Sequence, residues 1–483
     1  MAFSSIIFLF LFFPLTIALY FLIGKKANNI FLLLASLFFY AWGEGFFVIL
    51  LLISIGINYS AGIMLERTQS PRSSQLTLVA AIALNLILLC YWKYANFILG
   101  TVNHLLSLVN TKTIIADPIH LPIGISFFTF SALSYVVDVY WKKTTAQKSF
   151  IDVALYLSFF PKLIAGPIVR YADIADQIKQ RSIKFNDLAV GVQRFIIGLG
   201  KKVLIANTLA SSVDQIFSLP LQELTMPIAW LGIACYTLQI YFDFSGYTDM
   251  AIGIGRMFGF SFLENFNYPY ISQSIQEFWR RWHISLSTWF RDYLYIPLGG
   301  SRQGSMRTNI NLLTVFFLVG LWHGSSWNFI VWGVYYGIFL VIERLGLSGL
   351  LMRLWKPLRH IYVITVVLIG WVFFRAETLH SAAGYLSAMF GFVRHGIIRN
   401  SLSMHIDREL ILSLTIAVIC STPILAFIRY HKEIILNKSS GIATFYLEFI
   451  FGFTRTVILI SILALSVIYL AGSTYNPFIY FKF

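Results

Sequence analysis

Charged residues are scarce in this sequence of 483 residues: Asp, Glu, Lys and Arg make up 12% of it, and hydrophobic residues make up 58%. Soluble domains carry about 25% charged residues, so this composition excludes an ordinary soluble protein. Six stretches contain no Asp, Glu, Lys or Arg: residues 3–24, 45–65, 73–92, 224–242, 308–342 and 456–481. Because a bilayer crossing needs about 20 consecutive apolar residues, the sequence predicts a protein that crosses the membrane several times.

Cysteine is also rare, and the familiar catalytic signatures are absent. Cys90, Cys235 and Cys420 lie far apart in apolar stretches, which excludes a disulfide framework and a zinc-binding spacing. The sequence contains no Walker loop, H-E-x-x-H or G-x-S-x-G motif. Gly253 and Gly255 have the wrong spacing for a dinucleotide site and indicate helix packing instead. No metal site and no bound cofactor are therefore expected.

The net charge of +15 comes from basic residues in short loops between the apolar stretches. This is the positive-inside pattern of membrane proteins, aided by anionic lipid, and it argues against nucleic-acid binding. It predicts both termini outside the cytoplasm and residues 278–300 at the cytoplasmic side. No linker divides the chain, so we expect one all-α membrane domain over residues 1–483, with roughly ten to twelve membrane helices or re-entrant segments. Residues 471–483 are expected to form an extracytoplasmic tail.

Residues 278–293 hold an aromatic stripe in an otherwise basic stretch. Aromatic and leucine side chains recur at helical spacing there, with Arg280 and Arg281 beside them. The pattern predicts a helix that lies at the interface or dips into the protein from the cytoplasmic side. His283 lies on this stripe, where an interfacial histidine either only hydrogen-bonds or takes part in acid–base work.

His323 is the only Asp, Glu, Lys, Arg or His between Arg307 and Glu343. A neutral imidazole that only hydrogen-bonds to a neighbouring helix would explain the presence of His323 without a catalytic role. However, ionisable groups at membrane depth are costly and usually mark a functional path. The sequence therefore favours a functional role for His323, together with His283.

Two carboxylates, Asp243 and Asp249, lie in an otherwise apolar stretch among small and aromatic residues. They either cap helices or pair with Arg280 or Arg281, or else they orient a histidine or line an aqueous cavity. The sequence leaves both interpretations open.

Several longer motifs together resemble one enzyme family. They occupy residues 1–5, 37–42, 121–126, 160–167, 241–250, 264–270, 278–300 and 320–327. They are similar to those of membrane-bound O-acyltransferases, in the bacterial branch that includes alginate and peptidoglycan O-acetyltransferases. The resemblance covers nearly the whole chain. It is specific for the family and much less so for the acceptor.

The resemblance implies a role for each histidine. His323 matches the catalytic histidine of the family, and His283 matches its second motif histidine. A funnel from one face and a tunnel from the other would meet near His323. The family pattern also implies cytoplasmic acetyl-CoA as the acyl donor, a separate outer partner similar to a serine esterase, and an exported polysaccharide such as alginate or peptidoglycan as acceptor. The location would be the bacterial inner membrane.

The expected chemistry is deprotonation and positioning of a hydroxyl that attacks a thioester. Neutral imidazole, with an ordinary pKa near 6.5, can act as that base, which we assign to His323. Ser325, Ser326 or Asn328 would donate to the oxyanion. A transporter with a histidine proton relay and a non-catalytic scaffold remain the competing hypotheses.

The end of the chain, residues 476–483, is rich in aromatic residues. Such an ending is common where a helix leaves the membrane. It also resembles a short C-terminal motif, associated with the family, whose tyrosine takes the acyl group. That resemblance implies Tyr480 as an acyl carrier.

Overall fold

The computed structural model describes residues 1–24, 26–393, 401–472 and 475–479, and within these ranges it contains helices and connections but no strand. The expected all-α membrane fold is confirmed. The α-helices, α1 to α21 in chain order, are Phe13–Ile23, Asn28–Glu44, Val48–Arg67, Pro71–Leu108, Ile125–Tyr140, Phe150–Ser158, Phe160–Leu163, Tyr171–Lys179, Phe185–Gly200, Asn207–Phe217, Met226–Met257, Ile275–Arg281, Ile284–Phe290, Ser305–His323, Trp327–Ile342, Ser348–Arg353, Lys356–Arg375, Leu379–Met389, Arg408–Cys420, Ile424–Lys438 and Ile442–Gly472.

Long apolar helices account for only part of the membrane-embedded chain. Five in the described ranges are long and apolar enough to cross a bilayer: Asn28–Arg67, Pro71–Leu108, Trp327–Arg353, Lys356–Arg375 and Ile442–Gly472. A sixth would be the pair α19–α20, which bends by 59°. Two shorter apolar helices, Phe8–Ile23 and Ile125–Tyr140, add to these. The expected ten to twelve elements included short and re-entrant segments as well as full crossings.

The centre of the protein is α11, Met226–Met257, which is buried along most of its length. Glycines bring it into backbone contact with α9, Phe185–Gly200. A Cβ atom at Gly198 would lie 2.6 Å from the carbonyl oxygen of Gly246, and one at Gly253 would lie 2.6 Å from that of Gly191. This close approach confirms the packing role predicted for Gly253. It places the polar middle of α11 against the helical segment that directly follows α9 and contains Lys201 and Lys202.

Helices α14 and α15 form a tight hairpin. A Cβ atom at Gly320 would collide with the carbonyl oxygen of Phe329, and one at Gly333 with that of Phe316. Residues 324–326 make the turn between the helices. His323, the last residue of α14, is therefore held at the closed end of the hairpin.

Hydrogen bonds between residues far apart in the sequence define two faces of the protein. Asn476 donates to Ser4 Oγ over 2.8 Å, so the segment 475–479 lies on the same face as the described N-terminal residues. On the other face, Arg181 donates to Tyr20 Oη over 3.0 Å and to Asn29 Oδ1 over 2.7 Å. We call the first, which carries the described N-terminal residues and the segment 475–479, the terminal face. We call the second, which carries Arg181, the basic face.

Candidate active site

His323 lies in an aromatic enclosure. It is 3% exposed, and its ring contacts Trp322 and Trp332, each with ring centroids 4.9 Å away, and Phe374 at 5.3 Å. All three neighbouring rings meet the imidazole at a steep angle. Such packing excludes bulk water and fixes the plane of the imidazole, which positions it for proton transfer.

His283 lies where the predicted aromatic helix breaks. Instead of one helix, the chain forms α12, Ile275–Arg281, and α13, Ile284–Phe290, with His283 between them at φ 44° and ψ 55°. A left-handed conformation is unusual for a non-glycine residue and often occurs at functional sites. The segment dips into the protein, and the His283 side chain is fully buried.

Hydrogen bonding fixes the tautomer of His283. Its Nδ1 lies 3.1 Å from Asn265 Oδ1. The backbone N–H and the hydroxyl of Ser285 also donate to that oxygen, which identifies it as the acceptor end of the amide. Nδ1 of His283 therefore carries the proton, and Nε2 carries the lone pair. Nε2 is buried and has no hydrogen-bond partner among the described residues.

The fold brings the two histidines together. Their ring centroids lie 6.3 Å apart, with the planes inclined by 65°. Phe244, in the middle of α11, packs edge-on against His283 with a centroid distance of 4.7 Å. Trp322 also contacts His283, at 5.9 Å. The two imidazoles therefore share one buried aromatic compartment.

A small cavity opens beside His323. Its volume is about 20 Å³, room for about one water molecule. Lys93, Ser126 and Gly124 line it together with His323. Lys93 is not among the site residues predicted above, although the sequence holds a signal for it. Lys93 is the only Asp, Glu, Lys or Arg between Arg72 and Lys112.

The two aspartates of α11 form ion pairs, but not with the predicted arginines. Asp243 Oδ1 lies 2.5 Å from Lys202 Nζ, and both side chains are buried. Asp249 lies 2.7 Å from Lys201 Nζ and 2.9 Å from Arg194. The ion-pair interpretation was right and its partners were wrong, because α9 and the helical segment that follows it face α11.

The predicted arginines lie elsewhere. Arg281 donates to Glu277 over 2.9 Å and to the carbonyl of Asn267 over 3.1 Å, and Arg280 is exposed. Arg281 thus stabilises the end of α12, and Arg280 flanks it. Neither of these hydrogen bonds involves Asp243 or Asp249.

The candidate oxyanion donors lie on the turn after His323 and at the start of α15. Asn328 donates its amide to the carbonyl of Ala376 over 2.5 Å, which ties the start of α15 to the end of α17. Ser325 and Ser326 are half-buried on the turn. One N–H of the Asn328 amide is thus committed to a structural bond, and its second N–H and the two serine hydroxyls stay candidates.

Tyr480 lies outside the described residues, but the segment before it is described and enters the protein. Ile479 donates its backbone N–H to Asp243 Oδ2 over 2.8 Å, and Lys202 donates to the carbonyl of Pro477. Phe478 stacks on Tyr247 with ring centroids 4.7 Å apart. The residues 475–479, here called the tail segment, are therefore bound to the middle of α11.

Comparison with known proteins identifies the family of this chain. The sequence model of MBOAT, the membrane-bound O-acyltransferase family, matches residues 74–377. A probable alginate O-acetylase of Pseudomonas aeruginosa is 47% identical over 81% of this chain and 75% of its own length. A probable alginate O-acetylase of Pseudomonas putida is 42% identical over the full length of both chains.

A more distant relative extends the comparison to another named substrate. The peptidoglycan O-acetyltransferase of Helicobacter pylori is 37% identical over 80% of this chain and 80% of its own length. Both histidines, Asn265 and Lys93 lie within the residues that the family model matches. This chain belongs to the membrane-bound O-acyltransferase family and is an O-acyltransferase.

Proposed function

We propose that this O-acyltransferase takes acetyl groups from cytoplasmic acetyl-CoA and passes them through the bacterial inner membrane for O-acetylation of an exported polysaccharide. The observation that carries the proposal is the pair of buried imidazoles, His283 and His323, whose ring centroids lie 6.3 Å apart. Relatives named for alginate and peptidoglycan acetylation support a polysaccharide acceptor. The basic face favours an anionic donor such as coenzyme A.

His323 is the general base in this proposal. Its imidazole takes the proton of an attacking hydroxyl, whose oxygen then bonds to the carbonyl carbon of the thioester. The carbon–sulfur bond breaks, and the coenzyme A thiolate leaves with the proton from the imidazolium. His283, held through Nδ1 by Asn265, presents Nε2 to the same compartment and orients or relays the proton.

Tyr480 is the first acceptor in this proposal. The tail segment supports this role, because Ile479 is hydrogen-bonded to Asp243 and the next residue of α11, Phe244, packs against His283. Tyr480 directly follows that anchored residue. A phenol, with an ordinary pKa near 10, is deprotonated far more readily than a sugar hydroxyl. Its acetyl ester has a good leaving group, which keeps the acetyl group reactive.

An outer partner completes the route. The tail segment is bound on the terminal face, which the basic-residue pattern predicts to be extracytoplasmic. A serine enzyme on that side would attack the tyrosyl ester, take the acetyl group and transfer it to the polysaccharide, leaving the tyrosine hydroxyl free for another cycle. Only the acetyl group crosses the membrane in this scheme, and coenzyme A stays in the cytoplasm.

The test uses purified full-length protein and acetyl-CoA. We expect release of free coenzyme A thiol and a C-terminal peptide heavier by one acetyl group in the wild type. The mass shift should be absent in Tyr480→Phe and in His323→Ala. Absence of thiol release by the wild type would refute acetyl-CoA as the acyl donor. Polysaccharide acetylation at the wild-type level in cells with Tyr480→Phe would refute the carrier step alone.

A further inference from the structure

A lysine that the proposed mechanism does not use lies beside the candidate base. Lys93, in α4, is 5% exposed. Its Nζ donates to the carbonyl oxygen of Trp322 over 2.5 Å and to Ser126 Oγ over 3.1 Å. No ion pair among the described residues includes it. A buried ammonium without a carboxylate partner is costly, and in a membrane helix it indicates function.

Lys93 shares its surroundings with the candidate base. Lys93 and His323 line the same cavity. An ammonium has three N–H donors, and the two hydrogen bonds above use only two of them. Gly124, which also lines the cavity, is the N-cap of α5, Ile125–Tyr140, whose N-terminus adds partial positive charge. The cavity next to the imidazole is therefore electropositive.

We propose that Lys93 is a catalytic residue that stabilises the negative charge on the acyl carbonyl oxygen. This inference rests on the proposed function. When the hydroxyl oxygen bonds to the carbonyl carbon and His323 holds the hydroxyl proton, the carbonyl oxygen becomes an oxyanion. The third N–H of Lys93 donates to it. The oxyanion then reforms the carbonyl as the thiolate leaves with the proton from His323, and Lys93 ends the cycle unchanged.

Lys93 also has a structural role, which the test must separate from catalysis. Trp322 is the next-to-last residue of α14, and Lys93 caps its carbonyl while Tyr94 caps that of Leu321 over 2.7 Å. Lys93→Gln keeps a donor for such a cap but removes the charge. A purely structural lysine would tolerate this change, and an oxyanion-stabilising lysine would not.

The experiment measures thiol release from acetyl-CoA by purified Lys93→Gln and Lys93→Met, with rates normalised to folded protein. We expect the single-turnover rate constant of thiol release to fall about 100-fold in both variants while the Kd for coenzyme A changes by less than about threefold. The matched control is Lys162→Met. Lys162 is equally buried, but it bonds Ser131 over 3.3 Å and does not line the cavity.

Each outcome has a defined meaning. A fall in the single-turnover rate constant of less than about tenfold in Lys93→Gln overturns the assignment, and so does an equal fall in Lys162→Met. If Lys93→Met does not accumulate in membranes, Lys93→Gln alone decides. If the wild type releases no thiol, the proposed function fails, whereas an active wild type with an unaffected Lys93→Gln refutes only the role of Lys93.

Discussion

The imidazole rings of His283 and His323 lie 6.3 Å apart inside one aromatic compartment. His283 lies at the break between two short helices, and His323 lies at the closed end of a helical hairpin. Neither helix could position both groups alone, so the compartment depends on long-range packing.

His323→Gln should lower acetyl transfer at least about 1,000-fold, because glutamine fills similar space but cannot accept the proton. Membrane insertion and the thermal midpoint should change little. Thiol release from acetyl-CoA by purified protein provides the measurement. His431→Ala, an exposed histidine on α20, is the control and should be fully active. Near-normal transfer by His323→Gln would refute the assignment of His323 as the general base.

His283→Asn should separate backbone conformation from chemistry. Asparagine tolerates the left-handed conformation found here, φ 44°, so the fold should persist while kcat falls about 100-fold. His283→Ala should in addition lose about 1 kcal/mol of stability, because alanine is strained at this φ. Tyr268→Asn, at φ 46°, is the control and should keep its activity. A fully active His283→Asn would show that the residue is needed only for the turn.

The double variant Lys202→Met/Asp243→Leu should release the tail segment without leaving a single buried charge. The backbone bonds at Pro477 and Ile479 would then be lost. We expect faster digestion by carboxypeptidase and at least about tenfold slower acetylation of the C-terminal peptide. The control is Lys201→Met/Asp249→Leu, which removes the neighbouring ion pair. Unchanged protection of the tail would contradict this anchoring.

Cysteine labelling tests the orientation of the two faces. His120 lies 3.2 Å from Glu44, and Met1 lies beside Gly43, so the loop 109–120 belongs to the terminal face. In a cysteine-free background, Thr111→Cys should react with an impermeant thiol reagent added outside, whereas Ser301→Cys should react only after the membrane is opened. The reverse pattern would invert the topology.

Asp292 should make stability depend on acid pH. Burial raises the pKa of Asp292, but hydrogen bonds and charge from Arg291 and Arg170 outweigh it and hold that pKa below its usual value. The Arg170–Asp292 distance is 2.8 Å. A depressed carboxylate pKa contributes stability above about pH 4, the unfolded value, and loses it as the pH falls through the lower folded value.

The matching variant is Asp292→Asn. It should cost about 1–3 kcal/mol at neutral pH and flatten the acid limb of the stability curve. The measurement is thermal unfolding in detergent between about pH 3 and 7. This range includes about pH 4, the pKa of the carboxyl group in the unfolded chain. Asp117→Asn, on an exposed loop, is the control. An unchanged acid limb in Asp292→Asn would refute the contribution of this pair.

The sequence was sufficient for the membrane class, the all-α fold and the family, because hydrophobic length and motif order are properties of the chain itself. It also singled out His323, since an isolated ionisable side chain in an apolar stretch is visible without coordinates. For the same reason Lys93 could have been found, as it too is isolated in a long apolar stretch.

Other features depended on which helices pack together. The pairing of Asp243 with Lys202 follows from the glycine contacts between α9 and α11, and no local pattern encodes that register. Likewise, the helical spacing of residues 278–293 predicted an unbroken helix. The break at His283 is stabilised by Asn265, a residue distant along the chain. Hydrogen bonds between distant residues override local helical preference, so only the tertiary structure could decide the geometry of this site.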